Sequence, residues 1–95
     1  MKNALYKAID VKKACSRKLQ IDFKARKTHN NGWFCFEGKR VARITVPHGR
    51  KGLKTKTYVS MAKQLKITTD QFDGLLDCSF GRKEYLCHLE QERVI

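Results

Sequence analysis

Four cations crowd one short stretch of the chain. Arg50, Lys51, Lys54 and Lys56 lie in a loop with two glycines that leads into a predicted helix start. Backbone N–H groups at a helix start add to a Lys/Arg field, and the combination suits a phosphate group. Lys24, Arg26, Arg40 and Arg43 fall on predicted strands and extend that field across a sheet. Trp33 sits among them. A lone tryptophan is either a core aromatic or a platform on which an unpaired base stacks, the latter worth about 1–3 kcal/mol per base. Alternation puts Trp33 and Cys35 on the strand face opposite Phe34 and Phe36, so one of these pairs points at the helices and the other outward.

The charge balance names the class of partner. Lys and Arg total 21 against nine Asp and Glu, a formal net charge of +12. Residues 38–69 hold nine basic side chains and no acidic one, whereas residues 70–95 hold three basic and six acidic. A 32-residue stretch without a carboxylate sets up a field of one sign that attracts polyanions. No basic helix with a bulky apolar face is present, which argues against a membrane surface. No apolar run approaches the roughly 20 residues that span a bilayer. Charges at Lys7, Asp10, Lys12 and Lys13 interrupt the first helix where a secretory signal would need an apolar stretch. The expectation is a cytoplasmic protein without membrane partner.

Cys15, Cys35, Cys78 and Cys87 include no CxxC pair, and adjacent Cys87 and His88 rarely converge on one zinc ion. Reduced, mostly buried thiols are expected, with no disulfide, metal site or cofactor.

The elements that must position these residues follow from periodicity. Residues 4–19 read as a helix, with Ala4, Ala8, Val11, Cys15 and Leu19 on one face. Residues 21–27 alternate as a strand with Ile21, Phe23 and Ala25 inward. Residues 29–32 read as a turn because Asn-Gly is a strong hairpin signal. Residues 33–36 form a short aromatic strand and residues 37–39 a second turn. Residues 40–46 form a third strand with Ala42, Ile44 and Val46 on one face, ended by Pro47. Residues 56–65 are helical. Thr68 or Thr69 caps a further helix over 70–78, with Phe72, Leu75 and Leu76 as its buried face. Residues 82–94 fit strand and helix alike, and a short strand is favoured. The result is one α+β domain over residues 1–95. Its helices cover one face of a three-stranded antiparallel sheet, and the other face is free to bind.

The stretch from Ile44 through Val46-Pro47-His48 to Leu53-Lys54 and Thr57 resembles the signature of the HicA family of toxins from toxin–antitoxin pairs. Met61, Leu65, Ile67-Thr68 and Phe72 continue the likeness, which covers about residues 4–76. The resemblance implies a fold similar to the double-stranded RNA-binding domain, α-β-β-β-α, followed here by a short C-terminal extension. It also implies metal-independent cleavage of mRNA and a neutralising antitoxin partner. The family's catalytic His falls on Trp33 when Phe36 takes the family's aromatic position, and Lys56 stands where the family has Gly. Activation of a 2′-hydroxyl needs a base, which Trp cannot be. The resemblance therefore implies either a relative that binds RNA without cutting it or one in which His29 or His48 serves.

Two other classes of function compete. Residues 58–77 resemble a helix-turn-helix, with Lys66 at the turn position where Gly is usual. Its would-be recognition helix carries Asp70, Asp73 and Asp77 and no base, which phosphates repel. Those acids could instead face a basic partner or a second copy of the chain. A small mobile-element protein that acts by binding another protein is the third class.

Overall fold

The computed structural model describes residues 1–48 and 52–95. A short 3₁₀ turn (Asn3–Leu5) precedes α1 (Ala8–Lys18). Three strands follow, β1 (Asp22–Ala25), β2 (His29–Phe36) and β3 (Lys39–Pro47), then α2 (Thr55–Gln64), α3 (Thr69–Asp77) and α4 (Arg82–Gln91). The strands form an antiparallel sheet in the order β1-β2-β3. The protein is thus an α+β fold of four α-helices and one three-stranded sheet.

One face of the sheet is closed by the helices. Phe34, Ala42, Ile44 and Val46 are buried there with Val11 and Cys15 of α1, Tyr58 and Met61 of α2, Phe72 and Leu75 of α3, and Tyr85 and Leu89 of α4. α2 also shields the outer edge of β3, where the Gln64 side-chain oxygen accepts the Thr45 backbone N–H at 3.0 Å. Ile21 is buried as the alternation predicts, Phe23 is half-buried, and Ala25 is exposed where β1 runs out. Thr68 caps α3 reciprocally: its hydroxyl accepts the Gln71 N–H at 3.1 Å while Gln71 accepts the Thr68 N–H at 2.9 Å.

The expected turn at residues 29–32 is not a turn. β2 already starts at His29, and the chain reverses at residues 26–28, closed by the Arg26 N–H donating to the His29 carbonyl at 2.8 Å. The Asn-Gly pair answers a packing demand instead. A Cβ on Gly32 would stand 2.4 Å from Ile21 Cγ2 and 2.9 Å from Phe23 Cδ1, so only glycine lets β1 lie this close. The positive φ pair that a tight hairpin needs occurs at Glu37 (52°) and Gly38 (77°), between β2 and β3.

The strand favoured for residues 82–94 is also corrected, to helix α4. Tyr85 and Leu89, four apart, are both fully buried, while Cys87, which a strand would place beside them, is exposed. The Tyr85 ring meets Phe34 edge-on at 4.8 Å and its hydroxyl donates to the Leu65 carbonyl at 2.8 Å. These contacts fix the helical period.

Candidate nucleic-acid interface

The sheet's second face is open, and alternation along β2 sets what it shows. Phe34 is 0% exposed and Trp33 is 37% exposed, so the aromatic pair divides with Phe34 inward and Trp33 outward. His29, Asn31, Trp33 and Cys35 therefore share the open side. Cross-strand pairing adds Lys24 beside Asn31 and Asp22 beside Trp33 from β1. From β3 it adds Pro47 beside His29, Thr45 beside Asn31, Arg43 beside Trp33 and Arg40 beside Cys35. The Thr45 hydroxyl donates to the Asn31 side-chain oxygen at 3.0 Å and ties two of these rows together.

The rows line two neighbouring depressions. One is bounded by Lys24, Arg26, Trp33, Arg40 and Arg43, with Asp22, Asn31 and Cys35. The other runs from Thr28, His29, Thr45 and Pro47 onto α2, where Lys56, Thr57, Ser60 and Gln64 form its far wall. Of the nine residues assigned to nucleic-acid binding from sequence, Lys24, Arg26, Trp33, Arg40 and Arg43 meet in the first depression and Lys56 lies in the second. Lys54 is the exposed residue that precedes α2. Arg50 and Lys51 lie outside the described residues. Asn31, Thr45 and Ser60 were not foreseen. The Asn-Gly signal places Asn31 in a turn, and the period-two run His29-Asn31-Trp33 emerges only with β2 beginning at His29.

One carboxylate, Asp22, stands among the four cations of this face, and it forms no ion pair with them. Among the described residues no ion pair engages Lys24, Arg26, Arg40 or Arg43; the two ion pairs present join Met1 to Asp73 and Lys2 to Asp77. Two of the three acids of α3, Asp73 and Asp77, are turned toward the amino-terminal segment instead. Asp73 is buried and accepts the Lys2 N–H at 2.9 Å and the Tyr58 hydroxyl at 2.5 Å. Burial opposes its ionisation, but those hydrogen bonds and the amino-terminal ammonium outweigh it and hold the carboxyl below its ordinary value. Bonds from Ser79 and Lys2 hold Asp77 down to about 2.

The histidines separate by what their ring nitrogens do. His48 Nε2 meets the Arg26 carbonyl and Nδ1 meets the Asn30 amide at 3.2 Å. A carbonyl only accepts, so Nε2 carries the proton and Nδ1 accepts. Both nitrogens of His48 are thus committed to clamping the strand ends. His88 does the same between Lys66 and Gln71. His29 differs: its Nδ1 is 2.8 Å from the Thr28 hydroxyl, and its Nε2 has no hydrogen-bond partner among the described residues. It lines the groove with Lys56. A hydroxyl both donates and accepts, so the Thr28 contact is compatible with the tautomer that leaves the Nε2 lone pair facing the groove.

The thiol expectation is corrected. Only Cys15 is buried; Cys35, Cys78 and Cys87 are exposed. Cys15 is where α1 meets the core, and burial pushes its thiol up to about 12. Among the described residues no helix is long and apolar enough to cross a membrane.

No protein-family model, curated protein or solved structure matches the chain.

Proposed function

We propose that this protein is an RNA-binding protein of HicA toxin type that takes single-stranded RNA across its open sheet face and cuts it at His29. One observation carries the reading: four cations that no ion pair engages among the described residues, an outward tryptophan and a histidine whose Nε2 has no hydrogen-bond partner among those residues share one side of the sheet. A charged groove with an exposed aromatic is the arrangement by which single strands are held, the cations tracking phosphates and the ring stacking a base. The order α1-β1-β2-β3-α2 is similar to the double-stranded RNA-binding domain and agrees with the family likeness.

The chemistry follows from the second groove. His29 Nε2 removes the proton of a 2′-hydroxyl, the 2′-oxygen attacks the adjacent phosphorus, and the 5′-oxygen of the next nucleotide leaves and takes a proton from solvent. The products are a 2′,3′-cyclic phosphate and a 5′-hydroxyl. Lys56 stabilises the extra negative charge on the phosphorane. On this reading the protein works in the cytoplasm on mRNA, and an antitoxin protein silences it by covering the same face.

The helix-turn-helix alternative is weaker for a physical reason. The turn between α2 and α3 does form, with Lys66 at a φ of 63°. Its reading helix α3, however, carries no cation, buries Asp73 and ties Asp77 to Lys2.

The test is incubation of end-labelled single-stranded RNA with EDTA-treated protein at low salt. Fragments ending in a cyclic phosphate are expected from the wild type and not from His29→Ala. RNA that is bound but intact would remove the cleavage step and leave a binding module. RNA that is neither bound nor cut would overturn the whole reading.

A further inference from the structure

Asp22 is a carboxylate set in a cationic face. It is exposed, it lines the same depression as Lys24, Arg26, Arg40 and Arg43, and no ion pair among the described residues engages it. For a surface that only attracts phosphate, this charge has the wrong sign. Its position gives it another use. Asp22 is the β1 partner of Trp33, and Arg43 is the β3 partner of the same residue. Paired residues point to the same face with Cβ atoms about 4.5–5.5 Å apart. The indole therefore lies between a group that only accepts hydrogen bonds and a group that only donates them.

A base stacked on Trp33 meets both. Guanine alone has two adjacent donors on one edge, N1–H and the N2 amine, and two adjacent acceptors on another, O6 and N7. Adenine and cytosine place an acceptor beside their amine, and uracil places its N3–H between two carbonyls. With each of these, a carboxylate that takes one donor faces a lone pair next to it. The arginine adds to the discrimination, since bidentate Arg to O6 and N7 is the commonest specific contact with guanine.

We propose that Trp33, Asp22 and Arg43 form a guanine-selecting subsite. The base stacks on the indole, donates N1–H and N2–H to the Asp22 carboxylate, and accepts from Arg43 at O6 and N7. Arg40, whose guanidinium lies over the ring in the free protein, gives up that place to the base and turns to a phosphate. This inference rests on the RNA-binding reading and adds to it the identity of one nucleotide.

Trp33 is the only tryptophan, so quenching of intrinsic fluorescence reports this position alone. The probes are eight-residue oligouridylates, unmodified or with one central G, A or C. The wild type is expected to bind the G probe at least about fivefold more tightly than the other three, the low end of what one bidentate contact is worth. In Asp22→Asn the advantage should fall below about twofold. Affinity for plain oligouridylate should hold or rise, because a negative charge is gone, and thermal unfolding should be unchanged. Equal affinity for all four probes, or a G preference that survives in Asp22→Asn, would overturn the subsite while leaving RNA binding intact. Failure of the wild type to bind any probe would overturn the RNA-binding reading and the subsite with it.

Discussion

The Arg40 guanidinium carbon lies 5.2 Å from the centre of the Trp33 ring, and an irregularity in the strand puts it there. Arg40 has the parity of Ala42, Ile44 and Val46, all buried in the core. Strict alternation would aim it at the helices. The register shifts between Phe34, which pairs with Ala42, and Cys35, which pairs with Arg40, so Val41 is an extra residue on β3. A bulge of this kind re-aims the side chains beyond it. Arg40 reaches the open face, and Val41 is left half-buried beside Phe36 at the hairpin end.

Trp33→Ala is therefore expected to weaken single-stranded RNA binding by about 1–3 kcal/mol, roughly 5- to 150-fold, with little effect on stability because the ring is already partly in water. Arg40→Ala should act differently. It should shift the emission of free Trp33 to the red and reduce the slope of log affinity against log salt by about 0.7 if Arg40 meets a phosphate in the complex. Anisotropy titrations of dye-labelled RNA at several salt concentrations measure both affinities, and intrinsic emission reports the shift in Arg40→Ala. An unchanged affinity in Trp33→Ala would remove the stacking role.

The histidines should part company on mutation. His48→Ala takes away the partner of the buried Asn30 amide, and a buried polar group left unsatisfied costs about 1–3 kcal/mol. Urea unfolding should show that loss. His29→Ala should change stability by less than about 0.5 kcal/mol, yet lower RNA cleavage by about 10²–10⁴-fold, the usual contribution of a general base. The assignment fails if cleavage survives in His29→Ala.

Local periodicity made much of this molecule legible. The apolar stripe of α1 from Ala8 onward, the inward set of β3 and the Thr68 cap are all written at spacings of two, three or four residues, whereas Ala4, expected on the same stripe, is exposed in the turn before α1. Asn31-Gly32 misled because the dipeptide that favours a hairpin also permits close approach of a neighbouring strand, and only Ile21 and Phe23 reveal which demand applies. α4 is ambiguous in sequence because Tyr85, Cys87 and Leu89 alternate like a strand while Leu86, Leu89 and Arg93 space like a helix. Contacts of Tyr85 with Phe34 and Leu65 decide it, and they are distant in sequence. The cations of the candidate site were evident as residue types. Whether Trp33 joined them depended on which aromatic pair the core took, and alternation is symmetric on that point. The buried role of Asp73 was beyond reach, since its partner Lys2 lies 71 residues away.

Thiol reactivity checks the corrected burial. Iodoacetamide at pH 8 under native conditions should label Cys35, Cys78 and Cys87 and spare Cys15, whose thiol is both covered and held protonated. Intact mass should therefore show three adducts, and a fourth only in denaturant. Rapid labelling of Cys15 in the native protein would mean that α1 separates from the core on that timescale. Prior saturation with RNA should protect Cys35 alone, because only that thiol lies on the open face with Trp33 and Arg40.

Acid should loosen the contact between α3 and the amino-terminal segment. Both Asp73 and Asp77 ionise more readily in the fold than an ordinary carboxyl, which titrates near 3.9. A depressed folded-state value means that the stabilisation is complete above about pH 4 and is lost as pH falls through the folded value, which for Asp77 is about 2. Tyr58 takes no part in this titration, since burial and the neighbouring carboxylate push its hydroxyl far above the ordinary range and keep it the donor. The urea midpoint of the wild type should accordingly fall between pH 4 and pH 2. Asp73→Asn keeps an oxygen for Tyr58 but removes the charge, so it should be less stable than the wild type at pH 7 and lose less across that acid window. Asp73→Ala also strands the Tyr58 hydroxyl and should cost about 1–3 kcal/mol at neutral pH. Parallel wild-type and Asp73→Asn curves from pH 7 to pH 2 would show that Asp73 is not ionised in the fold, and the ion pair with the amino terminus would be withdrawn.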